Sequence, residues 1–120
     1  MVKNTGVKRI VLALGYSLAG LRAAFKNEAA FRQEILLAVI LLPLLFLFDI
    51  ETTQRLIMVA TLILVLIVEL INSAIEAIVD RVGTEHHELS GRAKDIGSAA
   101  VLVSLSLMTY VWATVLWSHF

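Results

Sequence analysis

The sequence predicts an all-α membrane protein with three transmembrane helices and an N-terminal amphipathic helix on the membrane surface. Of its 120 residues, 59% are hydrophobic and only one is proline. That composition is too apolar for a small water-soluble monomer, whose surface is large relative to its core. The formal net charge is zero and cysteine is absent, which excludes a strongly basic nucleic-acid binder, thiol catalysis and thiolate metal sites. We therefore expect a single membrane domain over residues 1–120.

Residues 6–26 carry apolar side chains at helical spacing with basic residues between them. The apolar positions are Val7, Ile10, Val11, Leu14, Leu18, Leu21 and Phe25. This pattern is typical of an amphipathic helix that lies in the membrane surface. A cleaved signal peptide is the alternative, but Arg22 and Lys26 follow the short apolar core too closely for it. We expect the segment to remain part of the protein.

Three predicted spans follow, over residues 29–48, 54–80 and 95–118. The third includes 23 residues without a charged side chain, Ile96–Ser118, which is long enough to cross a bilayer. The uncharged cores of the other two have 14 and 13 residues, Ile35–Phe48 and Leu56–Val68, and reach full length only by including polar residues. Two buried helices of a soluble protein are the alternative for runs this short, but too little polar surface remains to cover them.

The distribution of lysine and arginine predicts the orientation in the membrane. Six of these residues precede residue 33, three more lie in the connection 81–94, and the connection 49–55 has one. Cytoplasmic loops of membrane proteins carry the excess of basic residues. We therefore expect a cytoplasmic N-terminus and a periplasmic C-terminus.

Polar residues of the second span form one stripe. They follow one another at positions i, i+3, i+7 and i+11, which are Glu69, Asn72, Glu76 and Asp80. These positions fall within about 80° of the helix circumference, with Ser73 at the edge. Because charged groups that face lipid are costly, the stripe is expected to face protein or a water-filled cavity. Hydrogen bonding between helices would explain Asn72 and Ser73 but not three acids, so we favour a functional site.

Two further acids, Glu28 and Glu34, lie at the start of the first span. Each has an ordinary explanation as an interfacial acid that pairs with Lys26 or Arg32, and we favour that explanation for Glu34.

The connection between the second and third spans is dense in polar groups. They are Glu85, His86, His87, Glu88, Ser90, Arg92, Lys94 and Asp95. Two adjacent histidines without cysteine make a poor zinc site. Lys94 and Asp95 open the third span at the depth where Glu76 and Asp80 close the second. A cation suited to phosphate and acids suited to a divalent metal therefore share one layer of the membrane.

This set of groups fits phosphoryl transfer. Mg²⁺ is typically held by one or two carboxylates together with substrate phosphates, and the reaction also needs a cation on the phosphates and a group that orients the attacking hydroxyl. The chain has neither a Walker P-loop nor a protein-kinase glycine-rich loop. The residues alone leave open a metal-dependent enzyme acting on a lipid or an ion-coupled transporter. A non-enzymatic scaffold would leave the intramembrane acids unexplained.

Three stretches carry a more specific pattern. They are GYSLAGLRAAFKNEAAFRQE at 15–34, VELINSAIEAIVDRVGTEHHELSGRAKDIGSAAV at 68–101 and the terminal LWSHF. Over nearly the whole chain they resemble the small prokaryotic integral-membrane diacylglycerol kinase family. The pattern is closer to the Gram-negative diacylglycerol kinases than to the related undecaprenol kinases. Undecaprenol kinase remains an alternative, because the lipid-facing residues do not indicate which lipid is the substrate.

The resemblance implies a homotrimer in the bacterial inner membrane that uses ATP and Mg²⁺ to phosphorylate the primary hydroxyl of diacylglycerol, giving phosphatidic acid for lipid recycling. It implies that Glu69 is the general base, supported by Asn72, and that Glu28 and Glu76 hold the metal. It also implies contacts to the ATP phosphates from Lys94, Tyr16 and Ser17, contacts around the adenosine from Glu85, His87 and Asp95, and a lipid or phosphate contact from Arg9. The roles of His86 and Asp80 stay open.

The depth of the acids along the second span agrees with this mechanism. Glu69 lies deepest, where a lipid hydroxyl arrives from the bilayer, and Glu76 is about 10 Å nearer the cytoplasm. Because the transition state of phosphoryl transfer is loose, Glu69 mainly has to position the hydroxyl and take its proton late.

The short, polar spans also predict association between subunits. Oligomerisation is one way in which a membrane protein accommodates a short span. It would bury the polar stripe against a neighbouring chain, so we expect an active site shared between subunits.

Overall fold

The computed structural model describes residues 5–83 and 87–120, which form four α-helices. They are α1 (Gly6–Asn27), α2 (Ala29–Leu47), α3 (Thr52–Val82) and α4 (Glu88–His119). The last three are each long and apolar enough to cross a membrane. The prediction of an all-α protein with three helices long and apolar enough to span a membrane is confirmed.

The chain turns between α1 and α2 at a single residue, Glu28. Its backbone is extended, and its N–H donates to the Ala24 carbonyl at 2.8 Å, which closes α1. Arg32 in α2 donates from Nη1 to the carbonyls of Phe25 and Lys26, at 2.8 and 3.0 Å. Carbonyls at a helix C-terminus have no partner within the helix, so this arginine stabilises the corner. The Glu28 backbone is thereby held at the junction of the two helices.

Arg55 closes the connection between α2 and α3 in a similar way. Its Nε donates to the Leu45 carbonyl at 2.9 Å, and its Nη2 donates to the Phe48 carbonyl at 3.2 Å. The guanidinium also lies over the Phe46 ring, 5.4 Å from the centroid. Arg55 therefore provides hydrogen-bond donors for backbone carbonyls at the C-terminal end of α2.

Helix α3 is central, because it packs against both α2 and α4. Two buried apolar clusters join the three helices, one formed by Ala38, Leu62, Val65 and Met108 and the other by Leu45, Ile50, Met58 and Val115. The Trp112 indole of α4 donates to the Met58 carbonyl at 3.1 Å and to the Thr61 hydroxyl at 3.2 Å. Polar groups within a bilayer need internal partners of this kind. These contacts hold α3 and α4 in a defined relative position.

Helix α4 begins at Glu88, earlier than the span predicted from residue 95. The Nδ1 atom of His87 accepts a hydrogen bond from the Leu89 N–H at 3.0 Å and so caps the helix. Gly91 lies inside this helix. The structure therefore presents Lys94 and Asp95 on a helix rather than on a loop.

Candidate active site

A cleft of about 780 Å³ opens between α1 and α3. Its polar lining residues are Ser17, Asn27, Glu28, Ser73, Glu76 and Asp80. Its apolar lining includes Leu21, Ala24, Leu70, Ala74 and Ala77. Small side chains on the facing helices keep the cleft open, and the cytoplasmic end of the predicted stripe, Glu76 and Asp80, lies in its α3 wall. The cleft therefore combines an apolar surface with several carboxylates.

Glu28 and Glu76 reach this cleft from different elements, the α1–α2 corner and α3. Both are half-buried. Among residues 5–83 and 87–120, no cluster of three or more His, Asp or Glu side chains has the arrangement of a complete metal site. Mg²⁺ is usually held by one or two carboxylates and completed by substrate phosphates and water. Two carboxylates that face one open space therefore fit a magnesium–nucleotide complex.

Glu69 lies deeper in α3 and is only 4% exposed. Its carboxylate is close enough to those of Glu28, Glu34 and Glu76 for their charges to interact. Negative charges gathered away from bulk water repel one another and are costly to bury. A bound cation would relieve this repulsion.

Asn72 is buried on the side of α3 that packs against α4. Its Nδ2 donates to Glu76 Oε1 at 3.4 Å. Its Oδ1 has no hydrogen-bond partner in the part of the chain that the structure describes. The family resemblance implied that Asn72 supports Glu69, whereas its hydrogen bond in the structure is to Glu76.

Lys94 pairs with Asp80, with 2.7 Å between Nζ and Oδ1. The two side chains are 42% and 66% exposed, so the pair adds little to stability. Because Asp80 lines the cleft, the pair holds an ammonium group at its edge. This contact identifies a partner for Asp80, whose role the sequence left open.

Other predicted site residues lie elsewhere. Asp95 lines a separate open groove on α4 with Glu88 and Arg92. Arg9 and Tyr16 are exposed on α1, although the neighbouring Ser17 lines the cleft. His87 caps α4, and Glu85 and His86 lie outside the described residues. A single chain thus brings together the carboxylates and Lys94 but places Asp95 on another surface.

Sequence reasoning underestimated Glu34. Rather than forming a simple interfacial pair, it is half-buried within range of the Glu69 charge, and its Oε2 has no hydrogen-bond partner within residues 5–83 and 87–120. Glu34 follows the buried Phe31 by three residues and precedes the buried Ala38 by four. Such spacings share a helix face, so the periodicity of the first span contained the signal.

The cleft thus presents carboxylates and a nearby lysine between α1 and the membrane-spanning helix α3. The sequence profile of the prokaryotic diacylglycerol kinase family matches residues 15–116. The chain belongs to this family and is a lipid kinase. Of the two classes that the residues alone left open, the enzyme is therefore correct and the ion-coupled transporter is not.

Similar proteins support the same family over nearly the full length. A diacylglycerol kinase of Escherichia coli K12 is 55% identical over 120 residues, covering 98% of this chain and 96% of the relative. One of Pseudomonas aeruginosa is 59% identical over 113 residues, covering 94% and 92%. One of Haemophilus influenzae is 49% identical over 116 residues, covering 97% and 98%.

Proposed function

We propose that the chain transfers the γ-phosphate of ATP to the primary hydroxyl of diacylglycerol, giving phosphatidic acid at the cytoplasmic face of a bacterial inner membrane. The observation that carries this proposal is the cleft in which Glu28 and Glu76 lie beside the Lys94–Asp80 pair and next to the buried Glu69. Membership of the prokaryotic diacylglycerol kinase family supports the same substrate. We expect the product to enter lipid recycling.

The reaction is organised along α3. Glu69 lies seven residues before Glu76, which places it about 10 Å deeper along the helix axis. The hydroxyl of a lipid in the bilayer reaches Glu69, while ATP enters the cleft from water and meets Glu76. Glu69 positions the hydroxyl for in-line attack and accepts its proton late in the transfer.

Glu28 and Glu76 would hold Mg²⁺ through their carboxylate oxygens. When bound, the metal neutralises charge on the ATP phosphates. Lys94, held by Asp80, supplies a positive charge to the same phosphates, and Ser17 offers a hydroxyl from α1. We further propose phosphate contacts from Tyr16, a lipid or phosphate contact from Arg9, and adenosine contacts from Glu85, His87 and Asp95.

Replacing either proposed metal ligand tests this assignment. We expect Glu76→Gln and Glu28→Gln to raise the Mg²⁺ concentration for half-maximal activity at least about tenfold, because each removes a charged ligand. The measurement is phosphorylation of diacylglycerol with labelled ATP across a Mg²⁺ titration. Glu51→Gln is the matched control, because Glu51 is exposed at the N-terminus of α3, far along the helix from Glu76. Unchanged titrations in both ligand variants would disprove the metal assignment.

We also propose that α1 lies along the membrane surface. Its seven apolar stripe residues are all exposed in the single chain, and only Ala24 of this helix is buried. An apolar face of this kind is stable when it enters the boundary between headgroups and acyl chains. The basic residues predict that this surface is cytoplasmic and that the C-terminus is periplasmic.

Labelling of single cysteines tests the position of α1. The chain has no native cysteine, so each introduced thiol reports on one site only. Between residues 7 and 25 we expect reactivity toward a water-soluble maleimide to rise and fall with the 3.6-residue period of a helix. Uniform labelling would indicate a segment that does not lie on the membrane. Mass spectrometry of the intact protein should recover the N-terminal segment, which excludes signal cleavage.

Finally, we propose a homotrimer with active sites between subunits. Asp95 faces a groove separate from the cleft that holds Glu28 and Glu76. Many large apolar side chains of α2 and α4 are exposed in the single chain, including Leu36, Val39, Leu102 and Val103. A neighbouring subunit that covers part of these faces would bring its own Asp95 toward the cleft.

A further inference from the structure

Gly97 occupies a buried position in α4 directly against Asn72 of α3. A β-carbon at Gly97 would collide with Asn72 Oδ1 and would lie 3.3 Å from its Cγ. Gly97 is helical, and in the described chain only Gly6 has a positive φ. Glycine is a poor helix former, so the missing side chain rather than conformational freedom explains its presence here.

The missing side chain at Gly97 leaves room for the Asn72 amide in its observed position. The Oδ1 atom fills that space, and the Nδ2 atom donates to Glu76 Oε1 at 3.4 Å. The reverse orientation would place an amide oxygen against a carboxylate oxygen, where both are acceptors. A small cavity of about 120 Å³ beside the amide is otherwise lined by Val68, Ile71, Ile75, Gly97 and Ala100. It therefore offers a displaced amide no polar side chain as an alternative partner.

The same contact sets the spacing of the groups on the two helices. Gly97 follows Lys94 by three residues on α4, and Asn72 precedes Glu76 by four on α3. Each of these two separations is about one helical turn. Close packing of Gly97 on Asn72 therefore brings the Lys94 turn of α4 beside the Glu76 turn of α3, where Lys94 meets Asp80.

We propose that Gly97 is a positioning residue that acts through Asn72 to orient the Glu76 carboxylate toward the magnesium–nucleotide complex. This inference rests on the metal role proposed above for Glu76. Gly97 itself contributes no group to the reaction. Its contribution is the space that lets the Asn72 N–H face Glu76.

The first test adds one methyl group at this position. Gly97→Ala should weaken Mg²⁺-dependent binding of a non-hydrolysable ATP analogue at least fivefold, measured by equilibrium dialysis without any lipid acceptor. It should also raise the Mg²⁺ concentration for half-maximal turnover. Ser118→Thr is the matched control, because it adds one methyl group to an exposed side chain at the far end of α4, 21 residues after Gly97, and should leave both values within twofold. Wild-type binding by Gly97→Ala would overturn the proposal.

A double-mutant cycle tests whether the effect of Gly97→Ala is transmitted through Asn72. Asn72→Ser shortens the side chain and empties the space that the new methyl group enters. In that background, Gly97→Ala should change analogue binding less than twofold, because the amide through which it acts is gone. An equal loss in both backgrounds would overturn the proposal. If Gly97→Ala alone does not fold, the double variant is compared with Asn72→Ser: equal binding supports the proposal and weaker binding overturns it.

The Glu76→Gln titration distinguishes the two possible failures. If Glu76→Gln leaves the Mg²⁺ requirement unchanged, the metal role of Glu76 is wrong and this inference falls with it. If Glu76→Gln raises the requirement while Gly97→Ala behaves as wild type, only the role of Gly97 is wrong.

Discussion

Glu69→Gln is expected to abolish lipid phosphorylation while the protein remains folded. The substitution keeps the size and shape of a side chain that is 4% exposed, but it removes the group proposed to position and deprotonate the lipid hydroxyl. Loss of a general base typically lowers turnover by at least about 100-fold. The measurement is kcat for diacylglycerol with labelled ATP at saturating Mg²⁺.

The stability of the same variant distinguishes a catalytic role of Glu69 from a structural one. Glu69 interacts with the charges of Glu28, Glu34 and Glu76, so a neutral glutamine relieves repulsion. We expect the midpoint of thermal unfolding in detergent to be unchanged or higher. Glu51→Gln serves as the control and should retain wild-type kcat. Near-normal turnover in a folded Glu69→Gln protein would remove Glu69 from its role, and loss of folding would indicate a structural role instead.

Mixing two inactive variants is expected to restore activity if the active site is shared between subunits. Glu69 lies in α3 near the cleft, whereas Asp95 lines a separate groove on α4. Subunits with Glu69→Gln retain Asp95, and subunits with Asp95→Asn retain Glu69. At an interface where the two residues come from different chains, some mixed oligomers contain one intact site. Activity should return to a minority of the wild-type level.

The design of this experiment makes its negative result informative. The two variants carry different affinity tags and are co-expressed, and purification through both tags verifies mixed oligomers. Activity should depend on the expression ratio, and Glu69→Gln subunits carrying both tags provide the inactive control. If verified mixed oligomers stay inactive at every ratio, both residues act within one subunit and the shared site is wrong.

The sequence by itself was sufficient to predict the number of helices that are long and apolar enough to span a membrane. Long apolar runs have one low-energy arrangement in a bilayer, because their backbone groups must hydrogen-bond internally. The polar stripe of α3 was also readable, since the helical period alone places Glu69, Asn72 and Glu76 on one face. The structure buries Glu69 and Asn72 and half-buries Glu76. The family-specific motifs then indicated the chemistry.

Only the tertiary structure decided which neighbour each polar group meets. Periodicity identifies a helix face but not the helix that packs against it, so the contacts of Asp80 with Lys94 and of Asn72 with Gly97 were not predictable from spacing. The partial burial of Glu34 depends on how α2 packs against α3. The start of α4 at Glu88 depends on a local hydrogen bond to the side chain of His87. In each case the contact depends on how helices pack or how a helix end is capped. The pattern of hydrophobic residues does not specify either.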